Sequence, residues 1–565
     1  MMRQKNIIIC SIFQIAFLII STYTTKAQHL ISYQFLDHYT KQDIQQLLAD
    51  YGISASVITP EFAVDYYKVT YNTRNAQNTG NTIATGALVV PTGITCPLPL
   101  LSYQHGTTSK RIKVPSARGG AFEIGVIGAA LTGSVTAMPD YLGLGDSPGF
   151  HPYVHAASEA TAVIDLLRTA RELKDSIGYN LNDQLFLFGY SQGGHATMSA
   201  FKELETNFSS EFTVTACVPM SGPYDISGVQ STTMTADTPY ATPGYLPYVI
   251  LGYQEAYGNL YNNLSEIFKS PYDTLLPDYF DGTHGIGWIN NRLPDTPNLM
   301  LDSAYFQSFI NDPNHFVWSL LKDNDLYNWA PQAPLSIYYC TGDEQVFYEN
   351  ALVARDSMHA LGATHVIAVN FGQLNHNNCA PLCFLSGLAL FDQYIDLSGG
   401  MIVHDSITNP STASASNGSI TISVSNGNSP YIYEWQGGLA GQTTATIQGL
   451  SEGNYEVRIS DSIGCFLYED ITLTAPTSIT DIEAYKYFKL MPNPADNFIY
   501  LKILAPLSDK IHISIIDMSG KVIYETKNAL LALYRYDISE LKNGVYLVRL
   551  QSQNKAYTQK LIINH

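Results

Sequence analysis

Basic residues, cysteines and metal-binding motifs are all scarce in this chain. The 565 residues include 30 Lys and Arg against 49 Asp and Glu, so the formal net charge at pH 7 is −19. A surface of this sign repels nucleic acid and anionic lipid. The sequence contains no HxxEH spacing and no paired CxxC, which are spacings typical of zinc sites. We therefore expect no metal, no cofactor and no nucleic-acid partner.

The seven cysteines are too few and too dispersed to form a disulfide scaffold. Cys10 lies close to the amino terminus, and the other six are spread over the rest of the chain. An exported protein can still form one or two bridges. Cys340, Cys379 and Cys383 are the candidates, but their pairing is left open by the sequence.

A long apolar run occurs at the amino terminus, where Arg3 and Lys5 precede the segment from Ile7 to Ile20. Thr25-Lys26-Ala27 follows this run, and cleavage after Ala27 completes the pattern of a signal peptide over residues 1–27. A membrane anchor is the alternative, but its hydrophobic span needs about 20 residues. Cleavage would remove three basic residues and no acidic one, taking the net charge to −22 and leaving no permanent membrane span.

The rest of the chain divides into zones of different composition, and its length argues for several domains. From about 60 to 396, apolar runs bounded by Gly and Pro alternate with segments of helical period, which predicts βα units and a mostly parallel sheet. Residues 405–476 alternate apolar and polar positions with Asn-Gly turns, which predicts a small antiparallel β module. A linker over 477–483 precedes further short strands over 484–565.

The stretch Gly189-Tyr190-Ser191-Gln192-Gly193 lies between a predicted strand, Leu185 to Phe188, and a predicted helix, Gly194 to Leu204. A strand that turns sharply into a helix holds a serine oxygen clear of the backbone, and the turn needs small residues two positions before and after it. Ser191 is therefore a candidate nucleophile; the alternative is a glycine-rich bend that happens to contain a serine.

Acyl transfer also requires backbone donors for the oxyanion. The amide of Gln192, at the start of the helix, is one candidate. The other should follow an earlier strand, and Leu98 to Tyr103 leads into His105-Gly106-Thr107. The amide of Thr107 is the preferred second donor, with Gly106 as the alternative.

An acid and a histidine should follow later strands in that order. The predicted strand Leu335 to Cys340 leads to Asp343, which we predict as the acid, with Glu344 as its competitor. The predicted strand Val366 to Asn370 leads to the loop that carries His376, the predicted base.

Three blocks of the sequence, "YQHGT", "PDYLGLG...HPY" and "GYSQGGH", resemble the secretory lipase family of α/β-hydrolases, which includes the fungal lipase A type. The resemblance covers roughly residues 60–396. It implies an α/β-hydrolase domain over 28–400 that acts on lipids or other acyl esters. The Tyr-, Leu- and Phe-rich insertion at about 224–333 is then a helical cap that shapes the substrate site, and Asp140 and Tyr141 either shape the site or form a structural turn.

The carboxyl-terminal strings "LMPNPADNFIYLKI", "IIDMSGKVIYE", "ISELKNGVYLVRLQ" and "QKLIINH" resemble the sorting domain of the type IX secretion system, over 484–565. This implies type IX machinery as a partner and a location outside a Gram-negative cell, either secreted or attached to its outer surface. An ordinary β-sandwich is the alternative. Residues 405–476 resemble a surface adhesin repeat, which is either a spacer or a carbohydrate-binding module.

The sequence thus predicts an α/β-hydrolase domain with a helical cap, followed by two small all-β modules. The predicted function is cleavage of carboxylic esters through an acyl-enzyme on Ser191. The alternatives are a carbohydrate esterase for acetyl or feruloyl groups, a peptidase of the same fold, and a non-catalytic surface adhesion protein.

Overall fold

The fold is described from a computed structural model, which covers residues 28–51, 53–54, 58–412, 414–474, 484–504, 511–529, 533–552 and 555–565. The predicted signal peptide (1–27) and linker (477–483) lie outside the described residues. None of the helices in the described ranges combines the length and apolar character needed to cross a bilayer.

Nine strands form one large sheet in the order β1-β2-β3-β5-β4-β6-β7-β8-β9. The first three strands and the β3-β5 pair are antiparallel, whereas β5-β4-β6-β7-β8-β9 are mutually parallel. Their bounds are β1 Leu30–Tyr39, β2 Val64–Arg74, β3 Asn81–Pro91, β4 Leu98–Gln104, β5 Val135–Pro139, β6 Leu181–Tyr190, β7 Val214–Met220, β8 Leu335–Tyr339 and β9 Val366–Asn370.

Helices cover both faces of this sheet and fill the interval between β7 and β8, and the last short helix lies in the carboxyl-terminal module. In chain order they are α1 Lys41–Asp50, α2 Phe122–Thr132, α3 Ala156–Ile177, α4 Gln192–Asn207, α5 Thr232–Thr235, α6 Tyr245–Tyr257, α7 Tyr272–Tyr279, α8 Ile286–Asn290, α9 Ser303–Asn311, α10 Phe316–Lys322, α11 Glu349–Ala360, α12 His376–Phe391 and α13 Ala484–Tyr487. Short 3₁₀ turns occupy Pro115–Ala117, Leu264–Glu266, Pro297–Met300 and Gly437–Leu439, and Ile226–Gln230 is a π-helix.

The apolar run of β6 is buried on both sides, as expected of a central parallel strand. Leu185 and Leu187 join the core formed with α3, α4 and α11. Phe186 and Phe188 point to the opposite face and join the core formed with α1, α2 and α12. Because successive side chains of a strand alternate between faces, this one segment holds both helical layers in place.

The predicted insertion is a separate helical layer with a core of its own, containing among others Tyr253, Phe268, Leu276 and Phe309. It includes the π-helix and α5 to α10, and it lies between the carboxyl end of β7 and the start of β8. Both ends of the cap are therefore connected to strands of the large sheet, β7 and β8.

Two small antiparallel modules follow the hydrolase sheet. The first strand of the middle module begins at Ile402, three residues before the predicted boundary. The middle module has two three-stranded sheets, made of β10 Ile402–Thr408, β11 Gly418–Ser425 and β13 Thr446–Leu450, and of β12 Ile432–Trp435, β14 Gly453–Ser460 and β15 Phe466–Leu473. The last module has sheets of three and four strands, made of β16 Phe488–Met491, β17 Phe498–Ile503 and β20 Leu533–Asp537, and of β18 Ile511–Asp517, β19 Val522–Ala529, β21 Gly544–Ser552 and β22 Lys555–Ile563.

Two disulfides answer the pairing question that the sequence left open. Cys340 pairs with Cys379 inside the hydrolase domain. Cys96, just before β4, pairs with Cys465 of the middle module. The second bridge anchors that module at the amino end of a parallel strand, which is the opposite edge of the sheet from the loops described next.

Candidate active site

Ser191 occupies the turn between β6 and α4 in a strained conformation, with φ 63° and ψ −123°. A non-glycine residue at positive φ costs about 1–3 kcal/mol and persists only where its surroundings enforce it. Here the Ser191 amide donates to the carbonyl of Met220 at 2.9 Å, and the carbonyl of Ser191 accepts from Gly194 at 2.9 Å. The sharp turn from strand to helix that the sequence predicted is therefore present, and the role of Ser191 as nucleophile stays a prediction.

The two glycines flanking Ser191 are required by close packing against the carboxyl end of β4. A Cβ atom built on Gly189 would lie 2.6 Å from the carbonyl oxygen of Gln104, and one built on Gly193 would lie 2.0 Å from the same oxygen. Side chains at these two positions would force the end of β4 away from the turn. The absence of side chains at both positions therefore allows β4 to pack close to Ser191.

His376 and Asp343 are in direct contact. The Nδ1 atom of His376 lies 2.7 Å from Oδ2 of Asp343, and both side chains are buried. The other carboxylate oxygen, Oδ1, accepts from the amides of Gln345 at 3.0 Å and Val346 at 2.9 Å. Asp343 is thus held by backbone donors on one oxygen and presents the other to the imidazole.

Glu344, the competing acid in the sequence, makes a different contact. Its Oε2 atom accepts a hydrogen bond from the backbone amide of His376 at 3.0 Å. A carboxylate at this position satisfies one of the free amides at the start of α12. Tyr190 supports the same residue from the other side, because its hydroxyl donates to the carbonyl of His376 at 2.6 Å.

The two predicted oxyanion donors lie on adjoining backbone segments. A Cβ atom built on Gly106 would lie 3.8 Å from Cβ of Ser191, so the loop carrying Thr107 runs beside the turn at Ser191. Within the described part of the chain, neither the amide of Gln192 nor that of Thr107 donates a hydrogen bond. The hydroxyl of Thr107 shares a hydrogen bond of 2.9 Å with that of Tyr153.

Tyr141 contacts the loop that carries Thr107, whereas the Asp140 carboxylate contacts other segments. Tyr141 adopts a positive φ of 69°, and its hydroxyl donates to the carbonyl of His105 at 3.0 Å. The carboxylate of Asp140 accepts from the amide of Ser116 at 2.9 Å and from the hydroxyl of Thr85 at 2.6 Å. Burial raises the pKa of Asp140 above its ordinary value. A role of these two residues in shaping the site stays a prediction.

A narrow, mostly apolar cavity with a volume of about 30 Å³ extends from Ser191 beneath the cap. The side chains that line it come from the turn at Ser191, the π-helix, α5, α6, the segment after β8 and other loops. They are Tyr153, Val154, Ser191, Gln192, Pro223, Ile226, Gln230, Thr233, Met234, Tyr240, Tyr245, Leu246, Val249, Pro297 and Val346.

One part of the site was not found from the sequence. Glu159 and His195 form a buried pair beneath the turn at Ser191, with Oε2 and Nδ1 separated by 2.6 Å. The helical spacing indicates that Glu159 is buried, because it precedes Val163 by four residues and so lies on the same buried face of α3. A carboxylate on an apolar helix face requires a partner.

Two family models match the chain. The secretory lipase model matches residues 120–377, and the secretion system C-terminal sorting domain model matches residues 489–564. The second match marks the chain for type IX secretion to the cell surface or the extracellular space. Comparison with curated protein sequences gave no match.

Solved structures with similar folds include a hydrolase from Legionella pneumophila, at 30% identity and a TM-score of 0.60, with 65% of this chain and 98% of that chain covered. The rice cell wall degrading esterase LipA from Xanthomonas oryzae matches at 30% identity and a TM-score of 0.57, with 64% and 97% covered. The nine-stranded sheet and these similarities agree on an α/β-hydrolase fold. The chain belongs to the secretory lipase family and is an ester hydrolase.

Proposed function

We propose that this protein cleaves carboxylic esters through an acyl-enzyme on Ser191, with His376 as the general base and Asp343 as the residue that orients it. The observation that carries this proposal is the 2.7 Å contact between His376 Nδ1 and Asp343 Oδ2. A carboxylate only accepts, so this contact keeps a proton on Nδ1 and leaves the Nε2 lone pair available.

In the first half of the reaction, the Ser191 oxygen bonds to the ester carbonyl carbon and its proton passes to His376 Nε2. The carbonyl oxygen becomes an oxyanion, and the free amides of Gln192 and Thr107 supply two hydrogen bonds to it. When the tetrahedral intermediate collapses, the ester C–O bond breaks and the alcohol leaves with the proton from His376. Water then attacks the acyl-serine by the same sequence and releases the acid.

The cavity beneath the cap is the proposed site of the acyl group. It begins at Ser191 and is lined deeper in by Ile226, Met234, Leu246 and Val249. Burying apolar surface contributes roughly 25 cal/mol per Å². Esters with an apolar acyl group longer than acetyl should therefore be preferred over acetyl esters.

Labelling with a fluorophosphonate probe tests the nucleophile. The wild-type protein should be labelled at Ser191 and should hydrolyse 4-nitrophenyl butyrate. Ser191→Ala should lose both labelling and up to about 10⁶ of the turnover. Equal labelling of the wild-type protein and Ser191→Ala would refute this assignment.

A second candidate substrate is an ester on a cell-wall carbohydrate. The similarity to an esterase that degrades rice cell walls favours it. A substrate panel separates the two candidates: activity on feruloyl or acetyl groups of plant polysaccharide, with little on free alkyl esters, would favour the carbohydrate ester. The opposite pattern would favour simple acyl esters.

A further inference from the structure

A cluster of four buried polar side chains lies directly beneath the amide of Gln192. It consists of Glu159 on α3, Gln192 and His195 on α4, and His151 from the loop between β5 and α3; each is at most 3% exposed. In the proposed reaction, Gln192 acts only through its backbone amide. The other three side chains have no step in it, although such burial of polar groups is costly unless they are paired.

The contacts of His151 determine how the Gln192 side chain is oriented. Its Nδ1 lies 2.8 Å from the carbonyl of Leu142, which only accepts, so Nδ1 carries a proton. Burial lowers the pKa of His151 to about 3, so the ring is neutral and Nε2 accepts. Gln192 Nε2 donates to this atom at 2.7 Å and to Glu159 Oε1 at 2.8 Å. Both amide hydrogens of Gln192 are therefore in use.

The contacts of His195 occupy both nitrogens of its ring. Its Nε2 lies 3.1 Å from the carbonyl of Asn324, and its Nδ1 lies 2.6 Å from Glu159 Oε2. Because both nitrogens are held by these buried partners, this histidine is not available as the base for Ser191.

We propose that Glu159 is a positioning residue for the oxyanion hole. One of its oxygens holds the side chain of Gln192, and the other is held by His195 on the same helix. The inference rests on the proposed function, in which the Gln192 amide stabilises the oxyanion. Since Gln192 directly follows the strained Ser191, the two hydrogen bonds that hold its side-chain nitrogen limit rotation of the peptide that carries this amide.

An amide that is displaced from the oxyanion loses its effect in the transition state, whereas binding of the neutral ester is changed little. Removing the carboxylate from Glu159 should therefore lower kcat and leave KM nearly unchanged. Glu159→Leu keeps the approximate volume of the side chain and removes both acceptor oxygens, whereas a glutamine here could still accept from Gln192. Glu172→Leu is the matched control, because Glu172 lies on the same helix and accepts hydrogen bonds from the amides of His29 and Leu30, away from the site.

The experiment measures kcat and KM for 4-nitrophenyl butyrate on the full-length enzyme, with active sites counted by fluorophosphonate titration. We expect Glu159→Leu to lower kcat about 10- to 100-fold with KM within about twofold, and Glu172→Leu to match the wild type. Gln192→Met, which removes the two side-chain hydrogens, should lower kcat to a similar extent. The variant with both residues, Glu159 and Gln192, substituted should be no slower than the slower single variant. Each substitution alone already breaks the hydrogen bond between these two side chains.

If the fold-losses in kcat of the two single variants multiply in the double variant, Glu159 does not act through Gln192 and the proposal is overturned. An unchanged kcat in Glu159→Leu would do the same. If Glu159→Leu does not fold, Gln192→Met decides alone, since it leaves the Glu159–His195 pair intact, and a wild-type kcat there overturns the proposal. Failure of Ser191 as nucleophile is distinguishable from all of these, because the wild-type enzyme itself would then not be titrated by the probe.

Discussion

The disulfide between Cys340 and Cys379 joins the segment after β8, which carries Asp343, to helix α12, whose first residue is His376 and not, as predicted, a loop residue before it. Cys340 precedes Asp343 by three residues, and Cys379 follows His376 by three residues. The two segments follow different strands, β8 and β9, and without the bridge their spacing would depend on non-covalent contacts. The bridge therefore restrains the contact between the proposed acid and base.

Replacing this bridge by Cys340→Ala with Cys379→Ala should lower kcat by about 10- to 100-fold, because small displacements of catalytic groups have large effects on rate. The double substitution avoids leaving a single thiol close to the free Cys383, whose sulfur lies 3.5 Å from that of Cys379. The measurement is kcat per titrated active site.

The second disulfide offers a control for this experiment. Cys96→Ala with Cys465→Ala removes a bridge of similar chemistry at the opposite edge of the sheet. It should release the middle module from the hydrolase domain, seen as faster proteolysis between the two, with kcat unchanged. Equal loss of kcat in both pairs would mean that the Cys340–Cys379 bridge has no specific effect on the active site.

Asp343 and Glu344 differ in what they touch, so their substitutions should differ in effect. Asp343→Asn leaves a group that can donate to His376 Nδ1 and favour the wrong tautomer, and should lower kcat by about 10⁴. Glu344→Gln can still accept from the amide of His376 and should cost less than about tenfold, in line with a neutral hydrogen bond replacing a charged one. Steady-state kinetics of the two variants compare them directly. A larger loss in Glu344→Gln would contradict the proposed acid.

The sequence predicted those parts of the fold that depend on local patterns. The apolar run before Ser191, the flanking glycines and the helix after it form a local signature, and β6 and α4 lie where that signature places them. The segment before residue 60 carries no such pattern. Its strand β1 lies at the edge of the sheet, paired with β2, and the apolar side chains of Ile31, Tyr33 and Phe35 are exposed. The apolar residues of this strand therefore do not mark a buried face.

Contacts between distant segments account for what the sequence did not reveal. The pairing of Cys340 with Cys379, and not Cys383, depends on how α12 docks against the end of β8. The Glu159–His195 pair joins two helices separated by a strand, so no spacing in the sequence relates its members. The proposed triad was easier to predict because each member follows a strand, and the carboxyl ends of neighbouring parallel strands meet at one edge of the sheet.

The cavity beneath the cap should set the preference for acyl length. Val249→Phe adds volume at a position that lines the cavity, and it should shift the preferred substrate from longer acyl chains towards acetyl and propionyl esters. Leu251→Phe is the control, because Leu251 is also on α6 but does not line the cavity. The ratio of kcat/KM for 4-nitrophenyl octanoate to that for the acetate reports the shift. An unchanged ratio in Val249→Phe would place the acyl group elsewhere.

Two buried histidines make the folded protein sensitive to acid. Burial lowers the pKa of His151 to about 3 and that of His155 to about 4, from an ordinary value of 6.5. Between about pH 4 and 6.5 the unfolded chain therefore binds more protons than the folded one, so the free energy of unfolding falls as the pH falls. Each histidine contributes a slope of about 1.4 kcal/mol per pH unit, and the full stability is present above pH 6.5.

Removing one of these histidines should make the protein less sensitive to acid. In His155→Gln, the urea midpoint followed by circular dichroism should fall less between pH 7 and 4.5 than in the wild type, because one group no longer takes up a proton on unfolding. His365→Gln replaces an exposed histidine of the same domain and should retain the wild-type dependence. If His155→Gln and the wild type lost stability in parallel, protonation of His155 would not be coupled to unfolding, and the acid sensitivity would have to come from other groups.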